Sequence, residues 1–147
     1  MLATEKLHFE PGAWPFHVKG NVYMGTLAYC DGTVPGGSKA VLGTIHSEGL
    51  RAFFAQRFVV GGWYDVAPLV VVSELASRCA HIPHLEFLRE QARALATRDI
   101  HGVYKFLLKM AEPAQIVARL PRTAQQYFDF VRSEILDGDE VRTHLSK

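Results

Sequence analysis

At 147 residues the chain has the length of one domain, and its 48% apolar content is enough to bury a core without disulfides or a structural metal. Only 21% of residues are charged, which excludes general disorder, and 16 Lys and Arg against 15 Asp and Glu leave a net charge of +1. That balance gives no electrostatic reason to expect nucleic acid or an anionic membrane as a partner.

Cys30 and Cys79 are too few and too isolated for a disulfide framework and predict a reducing, cytoplasmic setting. The N-terminal MLATEKLHFEPGAW lacks the apolar core of a secretory signal, and the longest apolar run, Val66 to Val72, is well short of a membrane span. The composition therefore predicts a soluble protein.

In chain order, residues 1–18 mix charge, proline and aromatics without periodicity and predict an irregular arm. The segment NVYMGTLAYC leans to helix, and Asp31 to Ser38, rich in glycine and proline, predicts a loop. Its Gly-Gly pair lacks the remaining residues of a phosphate-binding loop. Ser38 to Ile45 predicts a short helix. Ser47 is placed to cap the next, which carries Leu50, Phe53, Phe54 and Phe58 and stops at Gly61-Gly62. Asp65 is placed to cap a helix with Pro68 in its first turn, and the continuation ELASRCA favours helix over a buried strand for the valine run. Another helix is predicted from Ile82-Pro83 to Thr97, with Leu85, Leu88, Ala92, Leu95 and Ala96 inward.

The stretch from Arg98 to Phe130 reads as the organising part of the chain. Apolar residues at Ile100, Val103, Tyr104, Leu107, Leu108 and Ala111 mark one face of an amphipathic helix capped by Asp99. A short piece from Pro113 to Leu120 follows, and then a new start at Pro121. Finally, RSEIL and VRTHL flank a Gly-containing turn at Asp137 to Glu140 and predict a β-hairpin. The chain ends soon after it, which predicts an open sheet edge suited to a homodimer. The whole reads as one domain of the α+β class, predominantly α-helical: an arm over 1–18, a helical body over 19–131 and a small C-terminal antiparallel hairpin or incomplete sheet over 132–147.

Chemistry has three candidate places. Cys79, His81 and His84 supply thiolate and imidazole ligands of the kind zinc takes, although their spacing matches no common site and Pro83 sets the histidines apart. His101 lies at the edge of the apolar stripe, where imidazole could face a pocket. Trp63 and Tyr64, following a Gly-Gly hinge, could line a pocket or plug the core. No nucleophile elbow is present and no carboxylate pair sits in an apolar context, so a non-catalytic role is the stronger expectation.

The run ALATRDIHGVYKFLLKMAEPAQIVARLPRTAQQYFDF, with PGGSKAVLGTI, LRAFFAQRF and WYDVAPL upstream, resembles an uncharacterised myxobacterial paralogue family, a domain of unknown function. More distantly, VKGNV followed by His101, a helix, Pro113 and Ile116 is similar to haem–nitric-oxide/oxygen binding domains and vinyl-reductase-like sensor domains. That likeness implies haem with His101 as axial ligand, but the family's Tyr-x-Ser-x-Arg propionate motif has no counterpart here. Taken together, the sequence predicts a regulatory or sensory module that binds a small apolar ligand or a protein partner, with Trp63, Tyr64, His101 and Tyr104 lining the pocket. A structural homodimerisation domain is the alternative.

Overall fold

In the computed structural model, which describes residues 9–102, 105–110, 112–136 and 141–145, the fold is organised around α1 (Gly20–Thr33) rather than the Arg98 to Phe130 stretch. From Gly20 to Cys30 every residue but Ala28 is buried or half-buried. A helix covered on nearly all sides cannot be recognised by an apolar stripe, because it has no solvent face to contrast with. It packs on α2 (Gly37–Gly43), α4 (Ala67–Cys79), α5 (His84–His101) and the strand that leads into it, β1 (His17–Lys19).

Two apolar clusters pack along α1. Near its start Tyr23 stacks on Phe58, with ring centroids 4.7 Å apart and planes 5° from parallel, and Phe53 and Tyr64 pack tilted and edge-on around it. Burial places the Tyr23 phenol far above its ordinary pKa, and its hydroxyl donates to the Asp65 carbonyl at 2.5 Å. Two turns further along, Phe87 is fully buried among Cys30, Val34, Val41, Val72 and Ala76.

The loop expected from Asp31 to Ser38 shrinks to Val34–Gly36, because α1 continues through Thr33 and α2 starts at Gly37. Asp31 closes the gap by accepting from the Ser38 amide at 2.7 Å, and bonding from the Ser38 side chain and amide holds its carboxyl below the usual range. Ser47 caps α3 (Glu48–Ala55) as expected, its hydroxyl accepting from Leu50 N. The helix ends at Ala55, well short of Gly61, because extended backbone at Gln56 releases the chain, and Phe58 is buried beside Tyr23.

The Gly61-Gly62 turn leads into β2 (Trp63–Asp65), which pairs antiparallel with β1 in the register Val18↔Tyr64. The arm is thus not wholly irregular: its end is a strand, and Phe9 is buried in the core. Asp65 is drawn into this sheet and does not cap α4, whose N-cap is Val66. Helix does prevail over strand for the valine run, with Val71, Val72 and Ala76 inward.

Helix α5 turns inward a face that shares only Leu95, half-buried against Gly25, with the one its leucines mark. Phe87 and Gln91 are buried, while Leu85 is 62% and Leu88 38% exposed, and Ala92 and Ala96 also face water. The cause is polar as well as apolar: the buried Gln91 amide donates to the buried Thr26 hydroxyl at 2.8 Å, so the i, i+4 pair of Phe87 and Gln91 turns onto the α1–α4 body. The helix runs through Asp99, which therefore caps nothing, and stops at Gly102. Ile100 is 47% exposed, α6 (Lys105–Met110) is a short separate piece, and Val103, Tyr104 and Ala111 lie outside the described residues.

Pro121 does not restart the chain. α7 (Pro113–Tyr127) is continuous through it, losing one backbone hydrogen bond where proline has no N–H to give. The hairpin forms as expected, with β3 (Val131–Ile135) antiparallel to β4 (Val141–Leu145) and the Ser133 and Thr143 hydroxyls 2.9 Å apart. Its turn at 137–140 lies outside the described residues. The described fold is therefore predominantly helical α+β, and no helix among the described residues is long and apolar enough to cross a membrane.

The hairpin end is tied to the body through β1. Val18 pairs with Tyr64 on one edge and bridges to Phe128 on the other. Beside it, Asp129 accepts from both the amide and the Nδ1 of His17 at 2.8 Å, and Asp129 N donates to His17 O. Asp65 stands on the far side, with one carboxylate oxygen 4.0 Å from His17 Nε2 and the other accepting from Gly12 N. His17→Ala is expected to lower stability by about 1 kcal/mol, the worth of one partly exposed hydrogen bond to a charged group. Amide exchange should speed up at Phe128 to Val131 before it does in α1; unchanged exchange there would count against the tie.

Candidate ligand groove

A cavity of about 400 Å³ opens where four chain segments meet: Lys19 and Asn21 at the start of α1, the Val60-Gly61 turn, Arg98, Asp99 and Gly102 at the end of α5, and Gln126 and Tyr127 at the end of α7. The local folding that builds it is specific. The first two amides of α1 are capped by the turn, Gly20 N donating to Gly62 O at 2.9 Å and Asn21 N to Val60 O at 3.2 Å. A Cβ on Gly20 would lie 2.0 Å from the Val59 carbonyl oxygen, so only glycine lets the turn sit this close. At Gly25 the missing side chain admits α5, since a Cβ there would stand 3.1 Å from Leu95 Cγ and 3.0 Å from Arg98 Nη1.

The groove carries charge of both signs. Lys19 Nζ donates to Gly61 O at 2.8 Å and lies 4.0 Å from the Trp63 ring centroid, a cation–π contact that holds the ammonium at the rim. Arg98 and Asp99 are consecutive on α5, about 100° apart around the helix, so they do not face each other. Neither side chain makes an ion pair with a described residue. The side-chain oxygen of Asn21 is buried and has no hydrogen-bond partner.

Of the residues predicted to line a pocket, Trp63 flanks this groove and is 45% exposed. Tyr64 belongs to the core, where its hydroxyl accepts from Val59 N at 2.8 Å and so braces the turn from behind. His101 is exposed next to Gly102, its Nδ1 donating to the Thr97 carbonyl at 2.9 Å. Tyr104 lies outside the described residues. The groove residues themselves were not singled out from sequence. One signal was there: Glu90 and Arg93 form a pair three residues apart, whereas Arg98 and Asp99 have no opposite charge three or four residues away on either side.

Cys79, His81 and His84 do not come together, since among the described residues no three His, Cys, Asp or Glu side chains are grouped to hold a metal ion. α4 ends at Cys79, His81 takes a left-handed φ of 56°, and His84 begins α5, so the three sit on different pieces of backbone. Cys79 instead lines a second cavity of about 230 Å³ between the α2–α3 connection and α4. Two of its polar residues are engaged elsewhere, Arg78 with Glu74 and Ser47 with Leu50 N.

The two thiols differ. Burial, and then the neighbouring Asp31 charge, push the Cys30 thiol up to about 11. A disulfide-exchange reagent at pH 8 should therefore modify Cys79 in the folded protein and reach Cys30 only on unfolding; two equally fast thiols would contradict this. Because the folded value lies above the ordinary one of 9.0, the contribution of Cys30 to stability is whole below about pH 9 and lost as pH rises toward 11. Cys30→Ala should remove that part of the alkaline loss.

Compared with known proteins, the chain matches no family model, no curated protein and no solved structure.

Proposed function

We propose that the protein is a regulatory module that binds a small ligand in the groove between α1, α5 and α7, in a reducing cytoplasmic compartment where Cys30 and Cys79 stay free thiols. The observation that carries this reading is the construction of the groove from four segments distant in sequence, with the charges of Arg98 and Asp99 along it making no ion pair with a described residue. A cavity of this volume is within the range of small-molecule sites. One wall, α7, leads directly into the hairpin, so a ligand touching α1, α5 and α7 together favours one placement of the hairpin end over others. Differential affinity of that kind is what a regulatory response requires.

The test is amide correlation spectroscopy of the full chain against a fragment set containing acids, amines and neutral rings. Shifts concentrated at Asn21, Gly61, Gly102 and Tyr127, with smaller shifts reaching Phe128 to Val131, are expected. If no fragment moves the groove resonances, the ligand reading fails.

A further inference from the structure

The groove's chemistry points to a class of ligand, an inference that rests on the reading of the groove as a ligand site. A simple anion would be drawn to Lys19 and Arg98 but repelled by Asp99. A simple amine would meet the reverse problem. The two helix ends add to this duality, because the N-terminus of α1 carries partial positive charge and the C-terminus of α5 partial negative charge. What satisfies both halves is a molecule bearing an anion and a donor-rich cation a few ångströms apart.

We propose that the groove takes a free α-amino acid, its carboxylate held by Arg98 and Lys19 and its ammonium by Asp99. The guanidinium is suited to the carboxylate because it presents paired donors in a plane, and Gly25 leaves the space in which it lies along α1. Lys19 contributes through the N–H groups left after its bond to Gly61 O. The ammonium needs an acceptor, and the Asp99 carboxylate supplies it. Val60 and the Tyr127 ring offer apolar surface to the amino acid's side chain, and the volume of about 400 Å³ admits one as large as an aromatic.

The experiment is calorimetric titration of the full chain with glycine, L-leucine and L-phenylalanine, then with 3-phenylpropanoate and 2-phenylethylamine, which keep the ring and remove one charge each. An amino acid is expected to bind at least about tenfold more tightly than either single-charge analogue, the loss expected when a charge-assisted contact goes unmade. Arg98→Met and Asp99→Asn alter solvent-accessible side chains, so both should fold normally, shown by unchanged melting, and each should weaken amino-acid binding by about tenfold or more. Arg98→Met should spare 2-phenylethylamine, and Asp99→Asn should spare 3-phenylpropanoate. If an analogue binds as tightly as the amino acid, or if acids or amines move the groove resonances while no amino acid does, the amino-acid assignment falls and the ligand site stands. If none of these probes nor any fragment moves the groove, both fall.

Discussion

Gly20→Ala is expected to lower the stability of the protein by about 3–5 kcal/mol, the largest effect of any single added methyl group in the described structure. The clash is with backbone: the new Cβ would stand 2.0 Å from the Val59 oxygen. Overpacking of that kind costs roughly 1–3 kcal/mol when the neighbour can shift. Here the shift also breaks the two hydrogen bonds by which Val60 and Gly62 cap α1, each worth about 1 kcal/mol. For a chain of this size the melting temperature should fall by roughly 10 °C. The same displacement opens the groove, so any ligand response should disappear with it. Gly43→Ala is the control, since a Cβ there meets nothing within 4 Å. A Gly20→Ala protein that melts with the wild type would show that the turn does not lie on α1 in solution.

Tyr23→Ala is the second large effect, expected at about 4–5 kcal/mol. Removing a buried aromatic ring costs about 3–5 kcal/mol through lost transfer energy and the cavity left behind. The ring at Tyr23 is fully buried and touches Phe53, Phe54, Phe58 and Tyr64, so little can collapse into the space. Tyr23→Phe separates ring from hydroxyl. It keeps the packing and leaves the Asp65 carbonyl without its donor, at about 1–2 kcal/mol. Denaturant midpoints of the two variants measure the split, and a Tyr23→Phe protein as unstable as Tyr23→Ala would contradict it.

The elements with a clear solvent side were legible in the sequence. Ser47 capped α3 because its hydroxyl could accept a backbone amide in place, and the hairpin followed from two β-rich runs around a turn. Both α1 and α5 are helices as expected, but the central place of α1 and the inward face of α5 escape the sequence, for opposite reasons. From Gly20 to Cys30 α1 exposes only Ala28 and so carries no stripe. α5 carries a stripe, Leu85, Leu88, Ala92 and Ala96, on the side that faces water, because the long-range bond from Gln91 to Thr26 turns the other face inward. Asp65 illustrates a third limit: a capping residue by type became a strand residue once β1 arrived from more than forty positions upstream. The groove was hidden for the same reason as any site made from distant segments, since nothing local to Lys19, Arg98 or Tyr127 announces the other two.

The contact of His17 with Asp129 spans 112 positions, and it is made beside the strand that also pairs with β2. Closing a loop of that length costs about 4 kcal/mol in chain entropy before any contact repays it. The helices from α1 to α5 meet over shorter separations, Gln91 reaching Thr26 across 65 positions, and can assemble first. The hairpin end is therefore the last part to settle and the first to leave, so the protein should have two lifetimes under protease: a short one for the C-terminal third, and a long one for the α1-centred remainder.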